Sequence, residues 1–168
     1  MGLNSKLAVR LDAVYDTPLD LATVTMPLTI DKQVRLASGT GAGQADRIWS
    51  DTRTLAASGT ENIDLAGVLT DPLTGATITF ARIKKILVTA ATANVNNVNV
   101  IREAANGAPI FLALGDGVPI RPGGGIALWA VDAVAYQVTP ATGDLLTFTN
   151  SGAGTPVTYD ITIIGSSA

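Results

Sequence analysis

The stretch VTYDITI at residues 157–163 identifies the fold class of this chain. Apolar side chains at positions 157, 159, 161 and 163 alternate with Thr158, Asp160 and Thr162. A period of two is typical of a β-strand that buries one face and exposes the other to water. The sequence therefore predicts a half-buried strand close to the C-terminus.

Segments of strand character recur toward the N-terminus and are separated by turn signals such as Thr74-Gly75, Asn106-Gly107 and Thr142-Gly143. Short strands punctuated about every 10 to 12 residues are typical of a sandwich or jelly roll rather than of alternating β-α units. The predicted segments are residues 24–30, 48–55, 62–65, 77–88, 95–101, 109–114, 125–131, 135–138 and 144–149.

The composition of the 168 residues agrees with this interpretation, because 21 Thr, 14 Val and 13 Ile outnumber 2 Glu and 4 Lys. Residues branched at Cβ favour a pleated strand, whereas Glu and Lys are good helix formers. The 25 Ala leave a short helix open at residues 11–21 or 90–94. We predict an all-β fold, a β-sandwich or jelly roll with an extended N-terminal arm.

The sequence SGTGAG at residues 38–43 is a candidate flexible segment between two parts of the chain. We predict an N-terminal arm and linker over residues 1–44, with possible extra strands, and a β-sandwich domain over residues 45–168. In the arm, Leu7, Val9 and Leu11 alternate with Ala8 and Arg10, as in a strand added to a neighbouring molecule.

The absence of Cys and His removes most catalytic and metal chemistry from consideration. A chain without them has no thiolate or imidazole nucleophile and no ordinary zinc, haem or iron–sulfur ligands. The GxGxG sequence at residues 39–43 precedes a strand-like run rather than a helix, so we interpret it as a linker and not as a nucleotide-binding loop. We expect no catalytic residue, no cofactor and no bound metal.

Three carboxylates, Asp12, Asp16 and Asp20, are spaced four residues apart and would share one face of a helix. Pro18 interrupts that helix, so a cation site is the weaker interpretation and solvated turn or cap residues the stronger.

The formal net charge is −3, from 11 basic and 14 acidic side chains. A nucleic-acid surface needs clustered Lys and Arg, which this chain does not have. The apolar runs are far shorter than the roughly 18 residues of a membrane-spanning helix, and residues 1–10 lack the apolar part of a signal peptide. We expect a soluble chain that binds neither nucleic acid nor membrane.

Two tryptophans and two basic residues are the remaining contact candidates. Trp49 and Trp129 are interpreted as core or interface anchors, since a large ring in a strand usually packs. Either ring could instead stack on a sugar beside one of the many carboxylates. Arg82 and Lys84 alternate with Ile83 and should share a face, which is either solvated or a docking patch for an acidic partner.

Several segments together resemble small proteins encoded among the head genes of tailed bacteriophages and prophages, in particular capsid decoration, or cement, proteins. The resemblance covers about residues 30–165, and the portion before Thr29 has no counterpart in it. The segments are TGAGQADRIWSDTRTL at 40–55, DLAGVLT at 64–70, ITFARI at 78–83, NNV at 96–98, RPGG at 121–124, GDLL at 143–146 and NSGAGT at 150–155.

The resemblance implies a structural virion protein, made in the cytoplasm of the bacterial host and located on the capsid surface. Its expected partners are the major capsid protein and further copies of itself, a trimer being favoured. A receptor-binding or carbohydrate-binding module of a phage fibre or tail is the alternative, and it would require exposed aromatic rings around one cleft. The residues expected to contact the capsid or another subunit are Leu7, Val9, Leu11, Trp49, Arg82, Lys84 and Trp129.

Overall fold

The computed structural model describes residues 2–168, and Met1 lies outside the described residues. Fourteen strands and no helix are present in this part of the chain, so the predicted all-β fold is confirmed. The strands are β1 (Ser5–Pro18), β2 (Thr23–Ser38), β3 (Gln44–Ala45), β4 (Arg47–Leu55), β5 (Thr60–Asp64), β6 (Ala66–Thr70), β7 (Thr77–Thr79), β8 (Arg82–Ala90), β9 (Val98–Arg102), β10 (Gly117–Ile120), β11 (Gly125–Trp129), β12 (Tyr136–Gln137), β13 (Leu145–Asn150) and β14 (Val157–Ser166).

Two antiparallel sheets form the body of the protein. One has the strand order β11-β8-β14-β4, with β12 also paired to β8, and the other has the order β10-β9-β13-β5. Strands β6 and β7 pair with each other as a separate short hairpin. Each sheet buries the apolar side of its alternating pattern against the other, which is the packing of a β-sandwich or jelly-roll type fold.

The core lies between the two sheets and is centred on strands β13 and β14. From β14, Tyr159, Ile161 and Ile163 are buried, as the alternation at residues 157–163 predicts. From β13, the buried ring of Phe148 stacks on that of Tyr159 with ring centroids 4.5 Å apart and an interplanar angle of 9°. The stacked pair joins the two layers of the sandwich.

A polar network begins at the hydroxyl of Tyr159 and links the same two layers. Tyr159 Oη donates a hydrogen bond to Glu61 Oε1 at 2.7 Å, and Arg53 Nε donates to Glu61 Oε2 at 3.1 Å. Burial, together with the nearby Glu61 carboxylate, raises the pKa of Tyr159, and the bond to Glu61 raises the pKa of Arg53. Glu61 is therefore a structural residue that connects β5 to β4 and β14.

Replacing Tyr159 by phenylalanine is expected to destabilise the protein by about 1.5 to 3 kcal/mol near pH 8, the usual loss for a hydrogen bond to a charged group. Because folding raises the pKa of Tyr159 above the unfolded value of about 10, this tyrosine loses its stabilising contribution as the pH rises above about 10. The difference in the free energy of unfolding between wild type and Tyr159→Phe should therefore be smaller at about pH 11 than near pH 8.

Urea unfolding of wild type and Tyr159→Phe at the two pH values measures this difference. An equal difference in the free energy of unfolding at both pH values would contradict the stabilising role of the Tyr159–Glu61 hydrogen bond.

Most of the predicted strands are present in the structure, but the prediction of a strand at residues 109–114 is wrong. This segment forms turns and bends instead. The Arg102 guanidinium holds it in that conformation by donating hydrogen bonds to the backbone carbonyls of Phe111 and Leu112 at 3.0 and 2.7 Å. The predicted strand at residues 77–88 is interrupted at Phe80 and Ala81, whose amides bond to Leu65 and Ser166. The two helices left open at residues 11–21 and 90–94 are absent from these segments, which are strand and turn.

The glycine-rich segment at residues 38–43, predicted as a linker, forms a turn with its own backbone hydrogen bonds. Gly39 and Gly43 have φ angles of 138° and 67°, a region that favours glycine. The Ala37 amide donates to the Gly43 carbonyl at 2.9 Å, and the Gly43 amide donates to Val131 at 2.7 Å. These bonds fix the direction in which the preceding residues leave the body.

Candidate functional site: the hairpin of β1 and β2

Strands β1 and β2 form one long hairpin that extends away from the body. They pair without interruption from Ser5 opposite Leu36 to Pro18 opposite Thr23. At about 3.4 Å per residue the paired region is roughly 45 Å long. A turn closes it, with the Leu19 amide bonded to the Ala22 carbonyl at 2.9 Å. Every residue from 8 to 33 is exposed, so only the root of the hairpin contacts the body.

The register of the hairpin separates apolar from charged side chains. Odd positions of β1 and even positions of β2 share one face, which we call the apolar face; Lys32 is its one charged residue. Its large apolar side chains are Leu7, Val9, Leu11, Tyr15, Val24, Met26, Leu28, Ile30, Val34 and Leu36. The opposite side, the polar face, carries the charged residues Lys6, Arg10, Asp12, Asp16, Asp31 and Arg35.

Side chains of the polar face form hydrogen bonds with each other. Arg10 Nε lies 2.6 Å from Asp12 Oδ2, and Thr29 Oγ1 donates to Asp12 Oδ1 at 2.8 Å. The bonds from Arg10 and Thr29 lower the pKa of Asp12. The polar face is therefore compatible with exposure to water.

The apolar face lacks any cover beyond the root. Its seven large side chains from Val9 to Tyr15 and from Val24 to Ile30 are between 41% and 72% exposed. Burying a large apolar side chain fully is worth about 1.5 to 3 kcal/mol, so covering the exposed half of these seven would gain roughly 5 to 10 kcal/mol per hairpin. A sheet with one apolar and one polar face normally buries the apolar one, which makes this face the candidate functional site.

The root of the hairpin is anchored to the outer surface of the sheet that β11, β8, β14, β4 and β12 form. Leu36 is buried in a small second core with Ala45 and Ile164, and Leu3 packs against it. The apolar face is therefore covered by the chain's own body at Leu36 and loses that cover farther out.

Lys85 ties both strands of the hairpin to β8. Its side chain is only 4% exposed, and Nζ donates to Ser5 Oγ at 3.1 Å and to the Val34 carbonyl at 2.9 Å. Both acceptors are uncharged, and burial lowers the pKa of Lys85. The ammonium group thus holds β1 and β2 at the same point.

Replacing Lys85 by methionine is expected to loosen the root while leaving the body folded, because Ser5 and Val34 lose their shared donor. Hydrogen bonds to a charged group contribute about 1.5 to 3 kcal/mol, so protection of the root amides from hydrogen exchange should fall roughly tenfold or more. Lys32→Met, which removes an exposed lysine of the hairpin, is the matched control. Unchanged protection in Lys85→Met would show that Leu36 and its neighbours alone hold the hairpin.

The predicted basic face at Arg82 and Lys84 is wrong, because Lys84 is fully buried. The register of β14 shifts between Ile164 and Gly165, which lie opposite Lys85 and Ile83, and leaves Lys84 as the extra residue of a β-bulge. A bulge changes the direction of a side chain and breaks the alternation on which the prediction rests. Lys84 Nζ donates to the Asp132 carbonyl, and burial lowers the pKa of Lys84.

The other predicted contact residues lie in three places, which are the hairpin, strand β11 and the core. Leu7, Val9 and Leu11 lie together on the apolar face, with Leu7 half-buried at the root. Trp129 is 39% exposed and lies opposite Lys85, beside the root. Trp49 is buried in the main core, so its interpretation as a core residue is confirmed and it is not available as a surface contact.

Most of the apolar face lies outside the residues predicted to form a contact. Val24, Met26, Leu28 and Ile30 alternate as clearly as Leu7, Val9 and Leu11, and residues 24–30 are a predicted strand. In the structure the two alternating segments pair with each other across the Leu19–Ala22 turn. The backbone of β1 consequently bonds to β2 on one side, whereas the sequence predicted pairing with a neighbouring molecule.

The carboxylates considered for cation or sugar chemistry have structural partners or stand apart. Asp12 bonds to Arg10, Glu61 bonds to Tyr159, and Asp71 Oδ1 accepts the amides of Leu73 and Thr74. Residues 2–168 contain no group of three or more acidic side chains arranged to hold a metal ion. The exposed rings of Tyr15 and Trp129 lie on separate elements, the hairpin and β11.

Within the described part of the chain there is no helix of the length and apolarity needed to cross a membrane. Comparison with protein-family models, curated proteins and solved structures found no match to this chain. The geometry of the hairpin is therefore the observation on which a function can be proposed, and the expected kinship with phage head proteins stays a prediction.

Proposed function

We propose that this protein is a structural virion protein that decorates a tailed-phage head and bridges neighbouring subunits of the major capsid protein. The observation that carries the proposal is the hairpin, whose apolar face is uncovered over residues 8–33. The resemblance of residues 30–165 to phage head proteins supplies the class of assembly.

The dimensions of the hairpin suit a bridging role. A stable body of two sheets presents a projection roughly 45 Å long, estimated from the strand rise. Such a projection extends well beyond the molecule's own footprint and can reach a neighbouring position on the head while the body binds a capsid subunit. Repetition of a modest contact around a shell gives lasting attachment.

The root of the hairpin supports the same role, because a clamp must hold its direction. The Lys85 bonds to Ser5 and Val34 and the small core around Leu36 fix both strands at the body. The Gly39–Gly43 turn is fixed in addition by the Gly43 bond to Val131. Binding therefore costs less ordering entropy than it would for a disordered arm.

The proposal is tested by the stability of phage heads. Expanded heads of the phage or prophage whose genome encodes this chain would be prepared without the protein and then supplied with it. We expect heads that carry the protein to burst at a higher temperature and to resist a stronger osmotic shock than bare heads. Identical bursting with and without bound protein would contradict a stabilising role.

A further inference from the structure

We propose that the apolar face of the hairpin binds the apolar face of a second copy of this chain, so that neighbouring copies are joined hairpin to hairpin. This inference rests on the proposed assembly function and names one partner of the same surface. The two polar faces would point outward from such a pair, as in a small sheet sandwich.

The area of the apolar face suits this partner. Two paired strands about 4.8 Å apart and roughly 45 Å long present a face on the order of 450 Å². Its seven outer large side chains are between 41% and 72% exposed. Leu19 and Leu21 at the tip are 60% and 100% exposed and extend this surface, so two such faces together approach the roughly 1,200 Å² of total buried area at the lower end of specific interfaces.

The shape and charge of the face also match a second hairpin better than they match the body. Two hairpins are equal in length and width, and each carries the single charge of Lys32 near the root end of its outer apolar face. Exposed apolar residues of the body, by contrast, lie on separate elements. These are Ile48 on β4, Val68 on β6, Leu73 in the turn after it, Leu87 on β8, Val95 before β9, Leu112 and Leu114 before β10, Trp129 on β11, and Val131 and Val134 after it.

A single introduced cysteine tests which face is covered, since the natural chain has none. Ala13 lies in the middle of the outer apolar face, and Val14, the next residue, lies at nearly the same distance from the root on the polar face. Packed sheets are about 10 Å apart, so a thiol cross-linker of roughly that length should join two copies of Ala13→Cys at least about tenfold faster than two copies of Val14→Cys. Equal rates for the two variants would overturn the inference.

Light scattering of the purified full-length protein provides the second test. We expect a mass of two or more chains, and Leu11→Asp should raise the dissociation constant at least about tenfold because a carboxylate would be buried in an apolar interface. Val14→Asp is the matched control, since Val14 is equally apolar and more exposed but lies on the polar face. This control should leave the mass unchanged.

A monomeric mass across a wide concentration range, or an oligomer insensitive to Leu11→Asp, would overturn the inference. Neither measurement involves phage heads, so this failure is separate from that of the proposed function. A monomer that still stabilises heads refutes the hairpin pairing alone. An oligomer sensitive to Leu11→Asp that has no effect on heads refutes the head function alone.

Discussion

A variant with a shortened hairpin is expected to lose its attachment to phage heads while keeping its fold. Removing residues 9–32 and joining Ala8 to Gln33 through a two-residue turn deletes the outer hairpin but keeps the root, including Ser5, Val34 and Leu36. All residues of the main core lie in the body, so the body should unfold at nearly the same denaturant concentration. Linked contacts exceed a single contact by about 10² to 10⁴ in affinity, and attachment should fall within that range.

Cosedimentation of the shortened variant with heads measures this loss, and Val68→Ser provides a control with altered surface outside the hairpin. Val68 is 68% exposed on β6, and its replacement should leave attachment unchanged. Attachment of the shortened variant at the affinity of the full chain would show that the body alone binds heads. The hairpin would then have no part in the contact.

Replacing Phe148 by alanine is expected to destabilise the body by about 3 to 5 kcal/mol, the usual cost of removing a fully buried aromatic ring. Phe148 is completely buried, and its ring stacks on Tyr159 across the two sheets, so its loss leaves a cavity between the layers. Because small domains are stable by only about 5 to 15 kcal/mol, this is a large share of the total.

Urea unfolding followed by circular dichroism measures the effect of Phe148→Ala. Leu87→Ala is the control, because Leu87 lies on the outer surface of β8 with 40% exposure and should cost far less. A loss below about 1 kcal/mol for Phe148→Ala would contradict the assignment of this ring to the centre of the core.

The strands of the body could be predicted where one face is buried and the other is solvated. Strand β14 buries every second residue from Val157 to Ile163 against the opposite sheet, and its sequence alternates accordingly. Strands β6 and β10 were missed because they are short and contain Gly67 or Pro119, which are unfavourable in strands. Their pairing depends on neighbours distant in sequence rather than on their own composition.

The candidate site was predicted in part, because its alternation is visible but its pairing is not. Leu7, Val9 and Leu11 indicate a strand with one apolar side, yet a single segment does not show which strand completes its sheet. The role of Lys85 could not be predicted from the sequence, since a lysine in a strand usually reaches water and here its ammonium group meets Ser5 and Val34. The bulge at Lys84 is a tertiary feature and likewise has no signal in the sequence.

Cosedimentation of the full-length protein with purified expanded heads that lack it tests head decoration directly. We expect the protein to sediment with the heads up to a fixed number of copies per head and then to saturate. Protein that stays in the supernatant at every concentration would contradict the decoration function and would favour the receptor-binding or carbohydrate-binding alternative.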